Sequence, residues 1–233
     1  MQNQKQLPQI SDYSLIFKSV KLLPMKTYPP CNLELPHTIN LLKNEYHPDF
    51  KLEQGYVFYE APEDLDFRYY GRVNIDNNNL WDLFTALYRQ IPGPIQLAIR
   101  HYSRPDEYWG VPVGKQAAYK WLEQFRLEIT KDPFLEIRVY KVKRSSIEVL
   151  GITTGKDIQY YCGENNKFLQ TMQKFQLVER DILYHVDEVM SSREPYILHN
   201  HNAMGTWMLI DHFEQTFIDP YLDDTLSPLS ERK

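Results

Sequence analysis

The residues best suited to chemistry lie near the C-terminus, where three histidines and an acid follow one another closely. His199 and His201 are separated by one residue, and Asp211 and His212 come ten residues later. Imidazole nitrogens and a carboxylate are ligands for Zn²⁺ or Mn²⁺, so one hypothesis is a metal-dependent hydrolase that uses these four residues. The spacing matches neither HExxH nor HxxEH. We instead expect His201 at a helix start, Asp211 and His212 on the solvated side of that helix, and neither a metal nor a cofactor.

Motifs of nucleotide-binding proteins and of serine hydrolases are absent. The sequence contains no GxxxxGK[ST], GxGxxG or GxSxG pattern. The glycines of Gly151–Lys156 fit the turn of a hairpin better than a phosphate-binding loop. His185, with Asp187 and Glu188, would suit acid–base chemistry, but a solvated helix face or a strand end explains these residues more simply. We therefore favour a protein that is not an enzyme.

The stretch 104–114 has the composition of a recognition loop. Pro105 and Pro112 restrict the backbone on either side of Tyr108 and Trp109, so these aromatic side chains would lose little entropy on contact with a partner. The rival hypothesis is that Trp109 covers the core between a strand and a helix. The residues that we predict to bind a partner protein are Arg104, Asp106, Glu107, Tyr108 and Trp109.

The charge distribution bears on the kind of partner. Lys and Arg number 26 and Asp and Glu number 31, and the resulting net charge of −5 argues against a nucleic-acid ligand. Acidic residues cluster within 60–66 and recur at Asp106 and Glu107. If these two segments converge, they form a negative face suited to a basic protein. Basic residues end the third strand: Arg138, Lys141, Lys143 and Arg144. The part from Lys141 to Arg144 is expected to protect a strand end or hairpin loop from unwanted pairing.

The spacing of apolar residues predicts alternating strands and helices from residue 67 onward. Period-two alternation indicates strands: 67–75, 95–101 and 135–139. Helical spacing indicates helices: 80–91, 114–129 and a third from about 165. Asn79 and Asp82 are expected to cap the first helix. Because that helix connects the first two strands, we expect those strands to be parallel.

Three further elements are predicted towards the end of the sequence. Residues 147–153 and 157–162 form a hairpin around Gly155, which is expected to supply a positive φ. Residues 178–190 fit a helix or a strand equally well. A last helix starts near Asn202 and is expected to bury four residues: Trp207, Ile210, Phe213 and Phe217.

These elements predict an α+β fold, with a mixed sheet of about five strands and several packed helices. Residues 1–54 form a flexible arm and a Pro-rich wrap, 55–220 a single α+β body that ends in the C-terminal helix, and 221–233 a polar tail. Cys31 and Cys162 have no metal-binding spacing, and no apolar run is long enough to cross a bilayer. We therefore expect a cytoplasmic protein that is not embedded in a membrane.

At class level, residues 55–190 resemble the α+β immunity proteins of bacteria, which neutralise polymorphic secreted toxins. One part of the resemblance is Asp106–Gly110 ahead of a helix. The other is the hairpin 147–162 followed by a helix with three apolar residues: Phe168, Met172 and Phe175. The resemblance implies a non-enzymatic binder that occludes the active site of a toxin, often through an acidic and aromatic surface.

Three hypotheses for function follow from the sequence. The first is a protein-binding module, specifically an immunity protein that neutralises a bacterial toxin. The second is the metal-dependent hydrolase described above. The third is a structural subunit of a larger, phage-like assembly, which the polar arm and the Pro-rich wrap favour.

Overall fold

The N-terminal part of the chain contributes one short strand to the described structure. The structure, a computed structural model, describes residues 33–42, 51–143, 146–188 and 191–218. Ile39–Leu41 form strand β1 within the predicted Pro-rich wrap. The rest of that wrap, the predicted flexible arm and the predicted polar tail lie mostly or wholly outside the described residues.

Seven strands form one sheet in which every neighbouring pair is antiparallel. They are β2 Gly55–Glu60, β3 Tyr69–Asn74, β4 Gln96–His101, β5 Glu107–Trp109, β6 Leu135–Lys143, β7 Ser146–Ile152 and β8 Ile158–Cys162. Their order across the sheet is β2-β3-β8-β7-β6-β4-β5. The α+β class is confirmed. The predicted mixed sheet of about five strands is wrong, because the sheet has seven strands and no parallel pair among those described.

The strands on either side of the first helix explain this difference. β3 and β4 run in the same direction, as expected for a helical connection, but three strands lie between them. Those strands, β8, β7 and β6, come later in the chain and fill the gap as antiparallel neighbours. Alternating hydrophobicity shows which face of a strand is buried, but it carries no information about which distant strand lies alongside.

The helices pack on one face of the sheet. They are α1 Asn77–Tyr88, α2 Lys115–Gln124, α3 Arg126–Lys131, α4 Asn166–Lys174 and α5 Thr206–Phe213, which continues as a π-helical turn over Glu214–Ile218. Their apolar side chains and every second strand residue form the main core. The opposite face carries a smaller cluster around Tyr140 and Tyr161 and no α-helix among the described residues; we call it the helix-free face. No helix in the described part of the chain is long and apolar enough to cross a bilayer.

The single helix predicted over 114–129 is divided into α2 and α3. Phe125 leaves the helical region, with φ −105° and ψ 23°, and ends α2. Its ring lies 4.9 Å from the ring of Trp121 and 5.0 Å from that of His212. The contact with His212 of α5 is a tertiary one, and tertiary contacts are invisible in helical periodicity.

The N-terminus of α1 also differs from the predicted cap. The helix begins at Asn77, two residues before Asn79, and Asp76 occupies the N-cap position without a side-chain capping bond. The Asp76 carboxylate instead accepts hydrogen bonds from the backbone N–H of Glu34 at 2.8 Å and from the Gln54 side chain at 2.7 Å. Asp76 therefore binds the segments that contain Glu34 and Gln54 rather than capping the helix.

The hairpin predicted over 147–162 is confirmed by β7 and β8, but its turn works differently. The positive φ belongs to Lys156, at 61°, and not to Gly155. Gly155 is required for space, because a Cβ there would lie 2.7 Å from Oδ1 of Asp187. Close approach, rather than backbone freedom, explains the glycine.

The segment 178–190, for which helix and strand were equally supported, is described up to residue 188, and residues 178–188 form neither a long helix nor a long strand. These residues are irregular apart from an isolated parallel bridge between Glu179 and Tyr56 and a 3₁₀ turn at Val186–Glu188. It leads into β9, Ser191–Arg193, which pairs antiparallel with β1 in a second, two-stranded sheet. This small sheet connects the segment 33–42 to the second half of the chain.

Candidate functional site

One end of the large sheet brings together a buried ionic network and an exposed row of aromatic rings. β3 and β4 end there, at Asn74 and His101, and β6 begins there, at Leu135. The turn 153–157 between β7 and β8 lies at the same end. We call it the hairpin end.

The residues predicted to bind a partner occupy different environments. Glu107, Tyr108 and Trp109 form β5, the edge strand beside β4, rather than a free loop. Neighbours along a strand face opposite sides, so Tyr108 packs against the main core and Trp109 against the cluster of the helix-free face. Arg104 and Asp106 are exposed. The five predicted residues therefore do not present a single surface.

Glu107 is committed to an ion pair within the fold. Its Oε1 lies 2.7 Å from Nη1 of Arg138, with side-chain exposures of only 14% and 11%. Burial raises the pKa of Glu107, and the Arg138 guanidinium opposes that rise. Arg138 therefore serves this pair on the helix-free face.

The two acidic segments do not converge. Residues 60–66 connect β2 to β3 at one edge of the sheet, at the end remote from the hairpin end. Asp106 precedes β5 at the opposite edge and at the hairpin end. The expected negative face is not formed by these segments, which removes the reason for expecting a basic partner.

A row of stacked rings lies beside Arg104. Trp207, on α5, stacks on His101 of β4 with ring centroids 4.1 Å and planes 17° apart. The centroids of the His101 and Phe134 rings are 5.8 Å apart, and their planes are 12° apart. The guanidinium carbon of Arg104 is 4.7 Å from the Trp207 centroid. The indole of Trp207 thus contacts both the His101 ring and the guanidinium of Arg104, which is exposed.

His101 is held in the row as an uncharged ring. Its Nδ1 accepts a hydrogen bond from the backbone N–H of Ser103 at 3.1 Å, which places the ring proton on Nε2. Burial lowers the pKa of His101; Asp132 opposes that fall and Arg104 adds to it. The positive charge of the row is therefore that of Arg104.

Two further exposed side chains extend this row. Tyr102 is 54% exposed, and Met208, next to Trp207 on α5, is 62% exposed. The Arg193 guanidinium lies 4.3 Å from the Tyr102 centroid and donates a 3.1 Å hydrogen bond to the Pro133 carbonyl, so an ordered cation supports the tyrosine ring. We define the Trp207 surface as four exposed residues: Tyr102, Arg104, Trp207 and Met208.

Trp207 was predicted to be buried, and that prediction is wrong. The helix begins at Thr206, four residues after Asn202, and Trp207 is 41% exposed. The other three predicted residues of this helix are buried as expected: Ile210, Phe213 and Phe217. The buried stripe runs through 206, 209, 210, 213 and 217 at spacings of three and four, and this spacing places position 207 outside it.

A buried ionic network supports the segment that carries Arg193. Arg72 of β3 lies 2.6 Å from the carboxylate of Asp157 and 2.8 Å from that of Asp187. Burial opposes the ionisation of Asp157, but the Arg72 guanidinium holds its pKa below the usual value. Asp187 also lies 3.6 Å from Arg193. Contacts thus run from the sheet through Asp187 and Arg193 to Tyr102.

His185 is buried within the same network rather than on a solvated face. The Asn74 amide donates hydrogen bonds to the carbonyls of Glu53 at 3.2 Å and Tyr184 at 2.7 Å. Its Oδ1 therefore accepts the 2.8 Å hydrogen bond from Nδ1 of His185. Burial lowers the pKa of His185 to about 3, so the ring is neutral at pH 7. These bonds fix the segment before Val186 onto β3.

Lys156, in the hairpin turn, points inward. Its Nζ donates hydrogen bonds to the carbonyl oxygens of Ile129 at 2.9 Å and Leu135 at 2.8 Å, and the residue is 3% exposed. Burial lowers its pKa to about 7. The lysine therefore joins the end of α3 to the start of β6.

The candidate metal ligands near the C-terminus have separate roles. His199 Nε2 lies 2.9 Å from Oε2 of Glu194, and Nδ1 of His212 accepts a 3.1 Å hydrogen bond from the Trp121 indole. His212 is thus packed against the core rather than on the solvated side of α5. The remaining two are exposed: His201 and Asp211. Within the described ranges, no three His, Cys, Asp or Glu residues are grouped so as to hold a metal ion.

Comparison with known proteins found no match for this chain. No protein-family model matches the chain, and no curated protein or solved structure is significantly similar to it. Function is therefore inferred from the geometry of this chain.

Proposed function

We propose that this chain is a non-enzymatic protein-binding module and that the Trp207 surface is its binding site. The observation that carries the proposal is the exposed Trp207, in contact with the His101 ring and the Arg104 guanidinium. Tryptophan, tyrosine and arginine are the residue types enriched where protein interfaces gain most of their affinity. Tyr102 and Met208 extend the same surface with large apolar area.

The surface is ordered before a partner arrives. Trp207 is fixed by its two stacking neighbours, and Tyr102 is supported by Arg193. Arg193 is itself held by Pro133 and lies close to Asp187. Side chains that are already immobilised lose little conformational entropy on binding, so more of the contact energy appears as affinity.

The predicted residues take two roles in this proposal. Arg104 contacts the partner directly, and the exposed Asp106 lies at the rim. Glu107, Tyr108 and Trp109 hold β5 against the sheet and thereby place the preceding turn. The partner is a protein, and the chain acts in the cytoplasm.

The narrower form of the proposal is an immunity protein that neutralises a bacterial toxin. Its support is the resemblance noted in the sequence, in segments that form β5 ahead of α2 and the β7–β8 hairpin ahead of α4. In this form the partner is a toxin, and the Trp207 surface or its surroundings block the toxin's active site. The captured partner should then stop growth when expressed alone and permit growth when expressed with this chain.

A site-specific cross-linking experiment tests the binding site. A photo-reactive amino acid replaces Met208 in the full chain. A matched variant carries it at Ile182, which is 46% exposed and does not belong to the Trp207 surface. Cells of the native host are irradiated, the captured protein is identified and purified, and its Kd for the unmodified chain is measured. We expect capture from position 208 and not from 182.

Affinity measurements on substituted chains complete the test. Tyr102→Ala should weaken binding of the purified partner by more than about tenfold, because an exposed aromatic anchor is lost. Ile182→Ala should bind like the unmodified chain. Equal affinities for the unmodified chain and Tyr102→Ala would contradict the proposed site.

A further inference from the structure

We infer that the Trp207 surface recognises a carboxylate of its protein partner, an Asp or Glu next to an apolar residue, through the guanidinium of Arg104. This inference rests on the proposed function and specifies the partner's chemistry. It concerns the exposed side chain of Arg104, whose guanidinium carbon lies 4.7 Å from the Trp207 centroid.

Arg104 differs from most arginines of the chain in having no acidic partner among the described residues. Seven other described arginines each have a carboxylate within 4 Å: Arg68, Arg72, Arg100, Arg126, Arg138, Arg180 and Arg193. Arg89 is exposed and shares the lack of an ion pair, but no described aromatic ring lies under it. Arg104 alone among the described arginines combines an aromatic support with an unpaired charge.

The chemistry of the guanidinium favours a carboxylate ligand. The group is exposed, lies over the Trp207 ring and carries a planar set of N–H donors. That arrangement matches the two oxygens of a carboxylate, which can accept two parallel hydrogen bonds. A lysine ammonium lacks the planar pair of donors, so position 104 should distinguish Arg from Lys.

The neighbours of Arg104 favour an apolar residue beside that carboxylate. Tyr102 and Met208 are more than half exposed and offer hydrocarbon and aromatic surface on the same site. When a partner covers them, water is excluded and the charge-assisted hydrogen bond to Arg104 becomes stronger.

A nucleic-acid ligand fits this surface less well. Affinity for a phosphate backbone comes from several neutralising cations, and His101 in the row is held as a neutral ring. The net charge of −5 also disfavours a polyanion. A single ordered guanidinium is better matched to a single carboxylate.

Selection from a phage-displayed library of random dodecapeptides tests the inference on the full chain. Enriched peptides are synthesised, and their Kd values are measured for the unmodified chain, Arg104→Gln, Arg104→Lys and Tyr102→Ala. Arg89→Gln is the matched control, because it removes an exposed arginine without a ring contact. A single-stranded DNA of about twenty nucleotides is titrated in parallel as the phosphate probe.

We expect enriched peptides to carry Asp or Glu beside an apolar residue. Binding should weaken by at least about tenfold in Arg104→Gln, clearly in Arg104→Lys, and not in Arg89→Gln. Three results would each overturn the inference. The enriched peptides lack a shared acidic position, they bind Arg104→Gln as tightly as the unmodified chain, or the DNA binds more tightly than the peptides in a manner that depends on Arg104. If Tyr102→Ala weakens peptide binding while Arg104→Gln does not, the carboxylate inference fails and the proposed binding surface stands. If neither substitution weakens it, both fail.

Discussion

Replacing Lys156 by methionine should change how the stability of the fold depends on pH. The Nζ is buried against the carbonyls of Ile129 and Leu135, and burial lowers its pKa from 10.5 to about 7. In the unfolded chain the amine binds a proton at any pH below 10.5, whereas in the folded chain it does so only below about 7. Between these values the unfolded state binds more protons, so the free energy of unfolding should rise as pH rises.

The size of this effect follows from the two pKa values. The difference between 10.5 and about 7 corresponds to about 5 kcal/mol over the whole window. Within the window the slope should approach 1.4 kcal/mol per pH unit, that is, about one proton. Tyrosines reverse the trend only above about pH 10, where they ionise in the unfolded chain. In the folded chain burial raises their pKa, so they stay protonated there.

Urea unfolding of the unmodified chain and of Lys156→Met, from about pH 7 to about pH 10, measures the slope. We expect the difference in free energy of unfolding between the two proteins to change steadily with pH, because only the unmodified chain carries the buried amine. Lys167→Met, which replaces an exposed lysine of α4, should follow the unmodified chain. A difference that stays constant across this range would refute the inward placement of the charge.

Three other substitutions test the packing around the sheet. In the unmodified chain, the free energy of unfolding should fall between about pH 6.5 and about pH 4.5, because His185, with its pKa lowered to about 3, stays neutral in the folded state and gains a proton in the unfolded state. In His185→Gln this fall should be smaller, as measured by urea unfolding. Trp109→Ala should lower the free energy of unfolding by about 2 kcal/mol, since the ring is half-buried; an unchanged melting temperature would instead favour the role of Trp109 as a partner contact. Gly71→Ala should destabilise by about 1–3 kcal/mol, as its Cβ would lie 2.7 Å from the Phe168 ring, whereas Gly163→Ala, with nothing within 4 Å, should be nearly neutral in thermal melts.

Local patterns in the sequence predicted the elements of the fold but not their order. Leu97 and Ile99, and Leu135 and Ile137, face the core as their alternation predicted, and the β7–β8 hairpin forms where expected. The antiparallel order across the sheet depends on which distant strands pack together, and a single sequence with period-two patterns does not encode that directly. Phe125 illustrates the same limit within a helix, because it ends α2 inside a continuous helical pattern and contacts α5, which the pattern does not reveal.

The candidate site was predicted only in part. Arg104 was identified from the composition of its loop, but strand alternation turns Tyr108 and Trp109 to opposite faces once β5 forms. Trp207 and His101 meet because α5 packs against the end of β4, and no local signal links positions so far apart in the chain. The helical phase of the last helix did contain the information that position 207 lies off the buried stripe.

Hydroxyl-radical footprinting of the free chain and of its complex with the captured partner locates the binding surface most directly. Methionine, tryptophan and tyrosine report well on solvent access, and Tyr102, Trp207 and Met208 are all exposed in the free chain. If the Trp207 surface binds the partner, oxidation of these three residues should fall sharply in the complex. Oxidation of Tyr184, which is 44% exposed, should stay unchanged. Unchanged oxidation at Tyr102, Trp207 and Met208 in a complex shown to be saturated would contradict the proposed function.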